Sequence, residues 1–330
     1  MSDSILSAAG KAEGGSRLQF FPISFFAIVM GLAGFAIALG KAEEVLGLPI
    51  HAAAWLTAAA GLVFLAALAT YLSKAIRHRA AVAKELKHPI KLSFFPTISI
   101  GLLLLSVALL KAAPAASLAL WSIGSVLQLM FTLFVLSRWI IGTHFEVVHS
   151  NPSWFIPVVG NILVPVAGVA HGFVEISWFY FSFGLLFWLV LLTLIINRMV
   201  FHHPMPEKLA PTFFILIAPP AVGFIAYSKL TGGELDVMAR VLYYNGLFFL
   251  MLLGALWRSF VGIRFFLSWW AYSFPLAAIT IATLVMAERT GLTFFLGLGG
   301  VLLAALAALI MLLVAKTLAA MLRGQICVED

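Results

Sequence analysis

The sequence contains very little charge. Asp, Glu, Lys and Arg make up 10% of its 330 residues, against about 25% in typical soluble domains. Hydrophobic residues make up 63%. So few charged groups cannot cover the surface of a water-soluble protein of this length, and the composition therefore predicts an integral membrane protein.

Cysteine is almost absent, and histidine is scarce where a membrane cofactor would need it. Cys327 is the single cysteine, which excludes an intrachain disulfide. The adjacent histidines His202 and His203 form a poor metal site without further ligands, and a solvated pair is the better interpretation. The sequence has no phosphate-binding glycine loop and no catalytic serine or cysteine motif. We therefore predict no metal, no cofactor and no enzymatic activity.

The charged residues divide the chain into ten uncharged windows of 17 to 29 residues. A helix of about 20 apolar residues crosses the ~30 Å hydrocarbon layer of a bilayer. We therefore predict an all-α integral membrane protein with ten transmembrane helices. The windows are 18–40, 45–73, 92–110, 112–137, 147–174, 176–197, 209–228, 241–257, 265–287 and 290–315.

The basic residues are unevenly distributed between the two ends of these helices. Of 20 Lys and Arg residues, 15 lie in the N-terminus, the even-numbered loops and the C-terminus. By the positive-inside rule, a multi-pass protein of the inner membrane then has both termini in the cytoplasm. This pattern reports topology rather than nucleic-acid binding. We expect residues 1–17 to be a disordered cytoplasmic N-terminus without a signal peptide, 18–316 to form the membrane domain, and 317–330 to be a short cytoplasmic tail.

Prolines are missing from the interiors of the even-numbered helices. Those well inside the windows all belong to odd-numbered helices, namely Pro22, Pro96, Pro157, Pro165, Pro219, Pro220 and Pro275. Proline kinks a helix and frees a carbonyl group. A freed carbonyl is tolerated in a membrane only beside protein or water. Kinks could serve packing alone, but their restriction to odd helices favours five quasi-symmetric helical hairpins, with an inner ring of kinked odd helices around a conduit.

The windows also lack ionisable residues at depth. Coupled transporters and pumps usually need such residues, whereas a passive channel does not. A pore without fixed charge can still favour anions through backbone donors exposed at kinks and the positive ends of helix dipoles. We expect shallow selectivity that follows ease of dehydration, with nitrate above chloride.

Several strings resemble one membrane protein family. The most specific is the run SWWAYSFPL at 268–276, preceded by FVGIRF at 260–265. It resembles the ninth helix of the slow-type anion channels of plant guard cells, which form a superfamily with bacterial tellurite-resistance proteins and C4-dicarboxylate transporters. Weaker similarities are VVGN at 158–161, KHP at 87–89 leading into FFP at 94–96, and APPAV at 218–222. The resemblance runs from about Leu18 to Lys316.

The resemblance implies that odd helices line a central pore in each subunit of a homotrimer, and that Phe274 matches a gating phenylalanine at mid-membrane. Asn161 either lines the pore or makes a packing hydrogen bond. Pro220 departs from the family, which more often has one proline there, and no long cytoplasmic tail of the plant type is expected. The pore-lining and kink candidates are Pro22, Ser24, Pro96, Thr97, Asn161, Pro165, Pro219 and Pro275.

Three functional hypotheses follow from the sequence. The leading one is a passive channel for chloride, nitrate or similar small monovalent anions, gated by Phe274. The second is a carrier or exporter of the same fold for C4-dicarboxylate, sulfite or tellurite-type oxyanions. The third is an inert membrane assembly or interaction protein, which the restriction of prolines to odd helices disfavours.

Overall fold

A computed structural model describes residues 17–143 and 145–328. Nearly all of the predicted N-terminal segment 1–17 therefore lies outside the described residues. Within the described ranges, nine helices are long and apolar enough to cross a membrane, and the fifth window is a shorter apolar helical run. The predicted all-α membrane architecture is confirmed, although the fifth segment is not a full-length span. In chain order the ten segments are Ile23–Leu46, Ala52–Arg77, Lys91–Leu109, Pro114–Ile141, Pro152–Gly168, Val174–Phe201, Glu207–Leu230, Val237–Ala255, Leu267–Thr290 and Thr293–Leu322.

The odd-numbered segments form a closed inner ring. The first contacts the third, the third the fifth, the fifth the seventh, the seventh the ninth, and the ninth returns to the first. Over an apolar stretch of 18 residues in each long segment, between 61% and 83% of residues are buried in the four odd segments, against 22% to 33% in the five even ones. In the fifth segment, every residue of Pro152–Gly168 except Gly160 is buried. The inner ring inferred from the prolines is thus confirmed by burial.

Each even-numbered segment packs outside the ring against the odd segment that precedes it. Small residues allow this close approach, as is usual between membrane helices. A methyl group added to Gly184 of the sixth segment would lie 2.8 Å from Ile162 Cγ1, and one added to Gly299 of the tenth would lie 2.7 Å from Leu284 Cδ2. A larger side chain at either glycine would push a hairpin away from the ring.

The odd segments are not single α-helices. Near each proline a 3₁₀ turn or run gives way to an α-helix, and the eleven-residue run Glu207–Ile217 is the longest of these. A run of that length is unusual, because 3₁₀ geometry is poor beyond three or four residues. Proline lacks an N–H group, so it is well tolerated in the first turn of the α-helix that follows. The 3₁₀ runs of the odd segments are Ile23–Phe25, Lys91–Phe94, Pro152–Trp154, Gly160–Leu163, Glu207–Ile217 and Leu267–Tyr272.

The α-helical parts of the odd segments are correspondingly short, whereas the even segments are long and uninterrupted. In odd segments they are Phe26–Leu46, Thr97–Leu109, Phe155–Val159, Val164–Gly168, Ala218–Leu230 and Ser273–Thr290. The even segments are Ala52–Arg77, Pro114–Ile141, Val174–Phe201, Val237–Ala255 and Thr293–Leu322. The remaining elements are the loop helix Arg79–Lys87 and the 3₁₀ turns Arg17–Phe20, Val147–His149 and Trp257–Ser259.

Both described ends of the chain lie at the same end of the bundle. A methyl group on Gly324 would come within 3.1 Å of the Arg17 guanidinium. We call this end the terminal face and the other the distal face. The last helix continues to Leu322, so the first residues of the predicted tail 317–330 are helical.

Candidate functional site

A cavity of about 70 Å³ lies at the centre of the ring. All five odd segments contribute to its wall and no even segment does. Most of the lining side chains are aliphatic or aromatic, and none is charged. The lining residues are Ala27, Met30, Phe94, Thr97, Ile100, Phe155, Ile156, Val159, Gly160, Ile162, Leu163, Ile215, Ala218, Pro219, Val222, Trp270, Ala271, Phe274 and Pro275.

Phe274 is positioned by the close contact of the ninth and first segments. It lies in the first turn of the α-helix Ser273–Thr290, and its ring is partly exposed toward the cavity. A methyl group on Gly34 would lie 3.4 Å from Phe274 Cδ2 and 3.1 Å from Ala277 Cβ. The lack of a side chain at Gly34 therefore leaves room for the ring between the two segments.

Four of the residues named from the sequence line the cavity, and five do not. Thr97, Pro219, Phe274 and Pro275 line it. The remaining five are placed at the helix breaks around it: Pro22, Ser24, Pro96, Asn161 and Pro165. Of these, Ser24 is half-buried in the turn Ile23–Phe25, and Pro96 and Pro165 are buried.

The backbone N–H groups at the breaks are hydrogen-bonded rather than exposed, contrary to the expectation from the sequence. The N–H of Ser273 donates to Trp270 O, and that of Ala218 donates to Ile215 O. The N–H of Phe26 donates to Ile23 O and Ser24 O. The 3₁₀ runs explain this difference, because their bonds reach back three residues and bridge the break.

The carbonyl groups near the breaks are also occupied, and here side chains are the donors. In the first segment, Lys74 Nζ donates to Phe21 O over 2.7 Å. In the third, Thr97 Oγ1 donates to Phe94 O over 2.5 Å. In the ninth, Ser273 Oγ donates to Trp270 O over 2.6 Å. The same arrangement recurs in the third and seventh segments, where Ser99 and Thr212 donate to Pro96 O and Leu209 O.

In the fifth segment the donors come mainly from the fourth segment outside the ring. Gln128 Nε2 donates to Ile156 O and Pro157 O over 3.3 and 3.2 Å, and Thr132 Oγ1 donates to Pro157 O over 2.7 Å. Both side chains are fully or almost fully buried. Gln128 and Thr132 of the fourth segment thus lie outside the ring but hydrogen-bond the carbonyl groups of its broken neighbour.

Asn161 belongs to this same hydrogen-bonded layer. Its Nδ2 donates to Thr132 Oγ1 and to Val158 O, each over 2.7 Å. The side chain is 0% exposed, and Oδ1 has no partner among the described residues. Its amide therefore ties the fifth segment to the fourth.

Sequence reasoning missed most of the cavity wall. Met30, Val222 and Trp270 line it. In an apolar run, however, the sequence does not distinguish an apolar residue that lines a cavity from one that is packed between helices. The signal that could have found them is helical spacing from the prolines, since Val222 lies one turn beyond Pro219.

Ion pairs join the inner ring at its distal face. Lys41 Nζ of the first segment lies 2.9 Å from Glu288 Oε2 of the ninth. Lys111 Nζ, after the third segment, lies 3.2 Å from Glu44 Oε2 of the first. Exposed pairs of this kind contribute little stability individually, but these two link three neighbouring members of the ring.

The chain matches a family described as voltage-dependent anion channel over residues 20–318. It is 30% identical over 282 residues to the S-type anion channel SLAH2 of Arabidopsis thaliana, covering 82% of this chain and 53% of that protein. It is 28% identical over 292 residues to an uncharacterized transporter of Methanocaldococcus jannaschii, covering 81% and 85%. It is 26% identical over 259 residues to a tellurite resistance protein TehA homolog of Haemophilus influenzae, covering 78% and 79%.

The chain spans about half the length of the plant relative, but most of the archaeal and bacterial ones. The names of these relatives describe channels, transporters and tellurite resistance, and none describes an enzyme. With the family match over almost all of the membrane segments, this multi-pass helical membrane protein belongs to the voltage-dependent anion channel family.

Proposed function

We propose that this protein is a passive channel for small monovalent anions such as chloride and nitrate, with Phe274 as its gate. The proposed conduit runs along the inner ring and through its central cavity. Phe274 closes it by bulk and by apolarity, because an ion must lose its hydration shell to pass an apolar constriction.

The occupied carbonyl groups are the observation that carries this proposal. Cation-selective pores are built from carboxylate side chains or from rings of free carbonyl oxygens. Here the cavity wall has no carboxylate. In the odd segments, side-chain donors engage carbonyl groups near the breaks. The cavity wall thus offers a cation no carboxylate, and side-chain donors already bond the carbonyl groups of three lining residues, Phe94, Ile156 and Trp270.

The distribution of basic residues supports an orientation with the terminal face in the cytoplasm. We propose residues 18–316 as the channel domain, a bacterial inner membrane as its location, and a homotrimer as the assembled state. These three proposals rest on the loop charges and on the family resemblance. Native mass spectrometry of the purified protein would measure the subunit number, and a stable monomer would contradict the trimer.

Anion-replacement currents test the proposed activity. Purified protein in a planar bilayer should carry current under symmetric chloride, with single-channel steps. Replacement of chloride by nitrate on one side should shift the reversal potential in the direction of higher nitrate permeability. A channel that carries potassium as well as chloride would contradict the argument from the carbonyl groups.

The relative named for tellurite resistance favours one alternative, a carrier of oxyanions with the same fold. The same reconstituted protein distinguishes the two. A carrier should show saturable exchange of labelled substrate, sulfite or a C4-dicarboxylate for example, without single-channel steps.

A further inference from the structure

Arg198 is a buried charge without a counter-charge among the described residues. Its side chain lies in the last turn of Val174–Phe201 and is 2% exposed. Two of its nitrogens, Nε and Nη1, are buried and have no hydrogen-bond partner. Among the described residues, the ion pairs involve other cations, and none places a carboxylate within 4.0 Å of Arg198. An unpaired buried ion is strongly destabilising, and no described residue neutralises the charge of Arg198.

The other fully buried cation of the described residues shows how such a group is normally accommodated. Lys74 is 1% exposed. Its Nζ lies 2.9 Å from Glu85 Oε1 and donates to Phe21 O over 2.7 Å. Tyr71 in turn donates to Glu85 Oε2. Among the described residues, Lys74 is thus fully paired, whereas Arg198 has no carboxylate within 4.0 Å.

The position of Arg198 follows from the face of the helix that carries it. The buried face of the sixth segment includes Gly184, Leu191 and Ile195, and ends in Arg198. Gly184 packs against Ile162 of the fifth segment. Arg198 lies fourteen residues further on, about 21 Å closer to the terminal face at 1.5 Å per residue. This places it near the level at which the fifth segment begins.

Other buried donors at the terminal ends of the fourth and fifth segments also lack acceptors. Trp139 and Trp154 stack with ring centroids 4.4 Å apart, and Nε1 of each is buried without a partner. Tryptophan and arginine nitrogens donate but do not accept. Among the unsatisfied buried atoms of the described residues, only Asn161 Oδ1 is purely an acceptor, and it belongs to the central layer. The terminal ends of these segments thus have an excess of buried donors, one of which carries a full charge.

We propose that Arg198 binds a small inorganic anion at the terminal end of the fifth and sixth segments. Water could accept from the N–H groups but would not neutralise the charge, whereas an anion does both. Arg198 does not line the central cavity, so the bound anion is a resident ligand of the outer layer and not an ion in transit. Its binding stabilises the entry to the fifth segment and does not depend on whether the protein conducts.

Thermal unfolding in detergent, without any flux measurement, tests this site. Sodium nitrate or sodium phosphate replaces sodium gluconate at constant ionic strength. The midpoint temperature of the wild type should rise saturably, by about 3 °C or more at high anion concentration. Arg198→Met should lose this dependence and, without anion, should unfold no earlier than the wild type, because a costly unpaired charge is gone.

Arg138→Met is the matched control, since Arg138 occupies the last turn of the neighbouring fourth segment and is exposed. It should keep the wild-type anion dependence. If Arg198→Met does not fold, Arg198→Lys serves instead and should raise the half-saturating anion concentration about tenfold. An unchanged anion response in the Arg198 variant that folds, or no anion response in the wild type, would overturn the proposal.

A lipid phosphate is a second source of the same chemistry, and nanodiscs distinguish it from a free anion. With phosphatidylcholine alone, the inorganic anion should raise the midpoint temperature as in detergent. If phosphatidylglycerol raises it and removes the further effect of salt, the headgroup phosphate is the ligand. In either case the effect should be absent in Arg198→Met.

Discussion

Truncation of Phe274 is the perturbation that most directly tests the proposed gate. The ring borders a cavity of about 70 Å³, so one side already lacks packing partners. Phe→Ala in a well-packed core costs about 3–5 kcal/mol, depending on how well the site collapses. Since the Phe274 ring is only partly enclosed, we expect its removal to reduce the free energy of unfolding by about 1–2 kcal/mol. Assembly should therefore be unaffected.

The effect on transport should be large in comparison. If the ring contributes ~1.4 kcal/mol or more to the barrier for a dehydrated anion, its loss raises the rate of passage at least about tenfold. We expect Phe274→Ala to raise anion conductance by this factor in a planar bilayer. Phe274→Leu should retain most of the block, because leucine is also apolar and nearly as bulky.

Phe224→Ala provides the matched control. Phe224 belongs to the seventh segment, is 0% exposed and packs against Tyr243 with ring centroids 5.6 Å apart. Its truncation should cost the full ~3–5 kcal/mol of a core site and should not raise conductance. A folded Phe274→Ala protein with wild-type current would remove Phe274 from the gate.

Three further predictions concern stability. Gln128→Leu leaves Ile156 O without its donor and should cost about 1–3 kcal/mol in thermal or chemical unfolding; full stability would mean that water replaces the amide. Lys74→Met leaves the buried Glu85 without its cation and should lower the free energy of unfolding by about 3–5 kcal/mol. Glu85→Gln in the same chain should restore much of this loss. Hydrogen bonds from Ala239 N–H and Tyr227 hold the pKa of Asp236 below its ordinary value of 3.8, so its stabilising contribution is complete above that pH and is lost as the pH falls further. In Asp236→Asn, the free energy of unfolding measured across a pH series should no longer show this loss at low pH.

The helical segments were predictable because the signal is compositional. Charge is expensive in a bilayer, so charged residues mark the approximate boundaries of spans, and each window overlaps mainly with one observed segment. The inner ring was also predictable, since proline constrains the backbone wherever it occurs. By contrast, the hydrogen-bonding of the breaks depends on which side chains meet in three dimensions. Gln128 and Thr132 contact Pro157 across a distance of more than twenty residues in sequence, which no local pattern indicates.

Arg198 shows the limit of reading boundaries from charge alone. In the sequence it ends the sixth uncharged window, 176–197. In the structure the helix Val174–Phe201 continues past it and turns the side chain inward. Burial depends on the face of the helix, and that face is set by packing on the fifth segment rather than by local composition.

The succession of 3₁₀ and α geometry in the ninth segment has a mechanical consequence. A 3₁₀-helix advances 120° and about 2.0 Å per residue, and an α-helix 100° and 1.5 Å. Six residues, Leu267–Tyr272, have 3₁₀ geometry immediately before Phe274. Conversion of these six to α geometry would turn the ring by about 120° around the helix axis and draw it back by about 3 Å. A local change from 3₁₀ to α geometry at this break would therefore move the Phe274 side chain away from the central axis. The helices of the outer layer would not have to move.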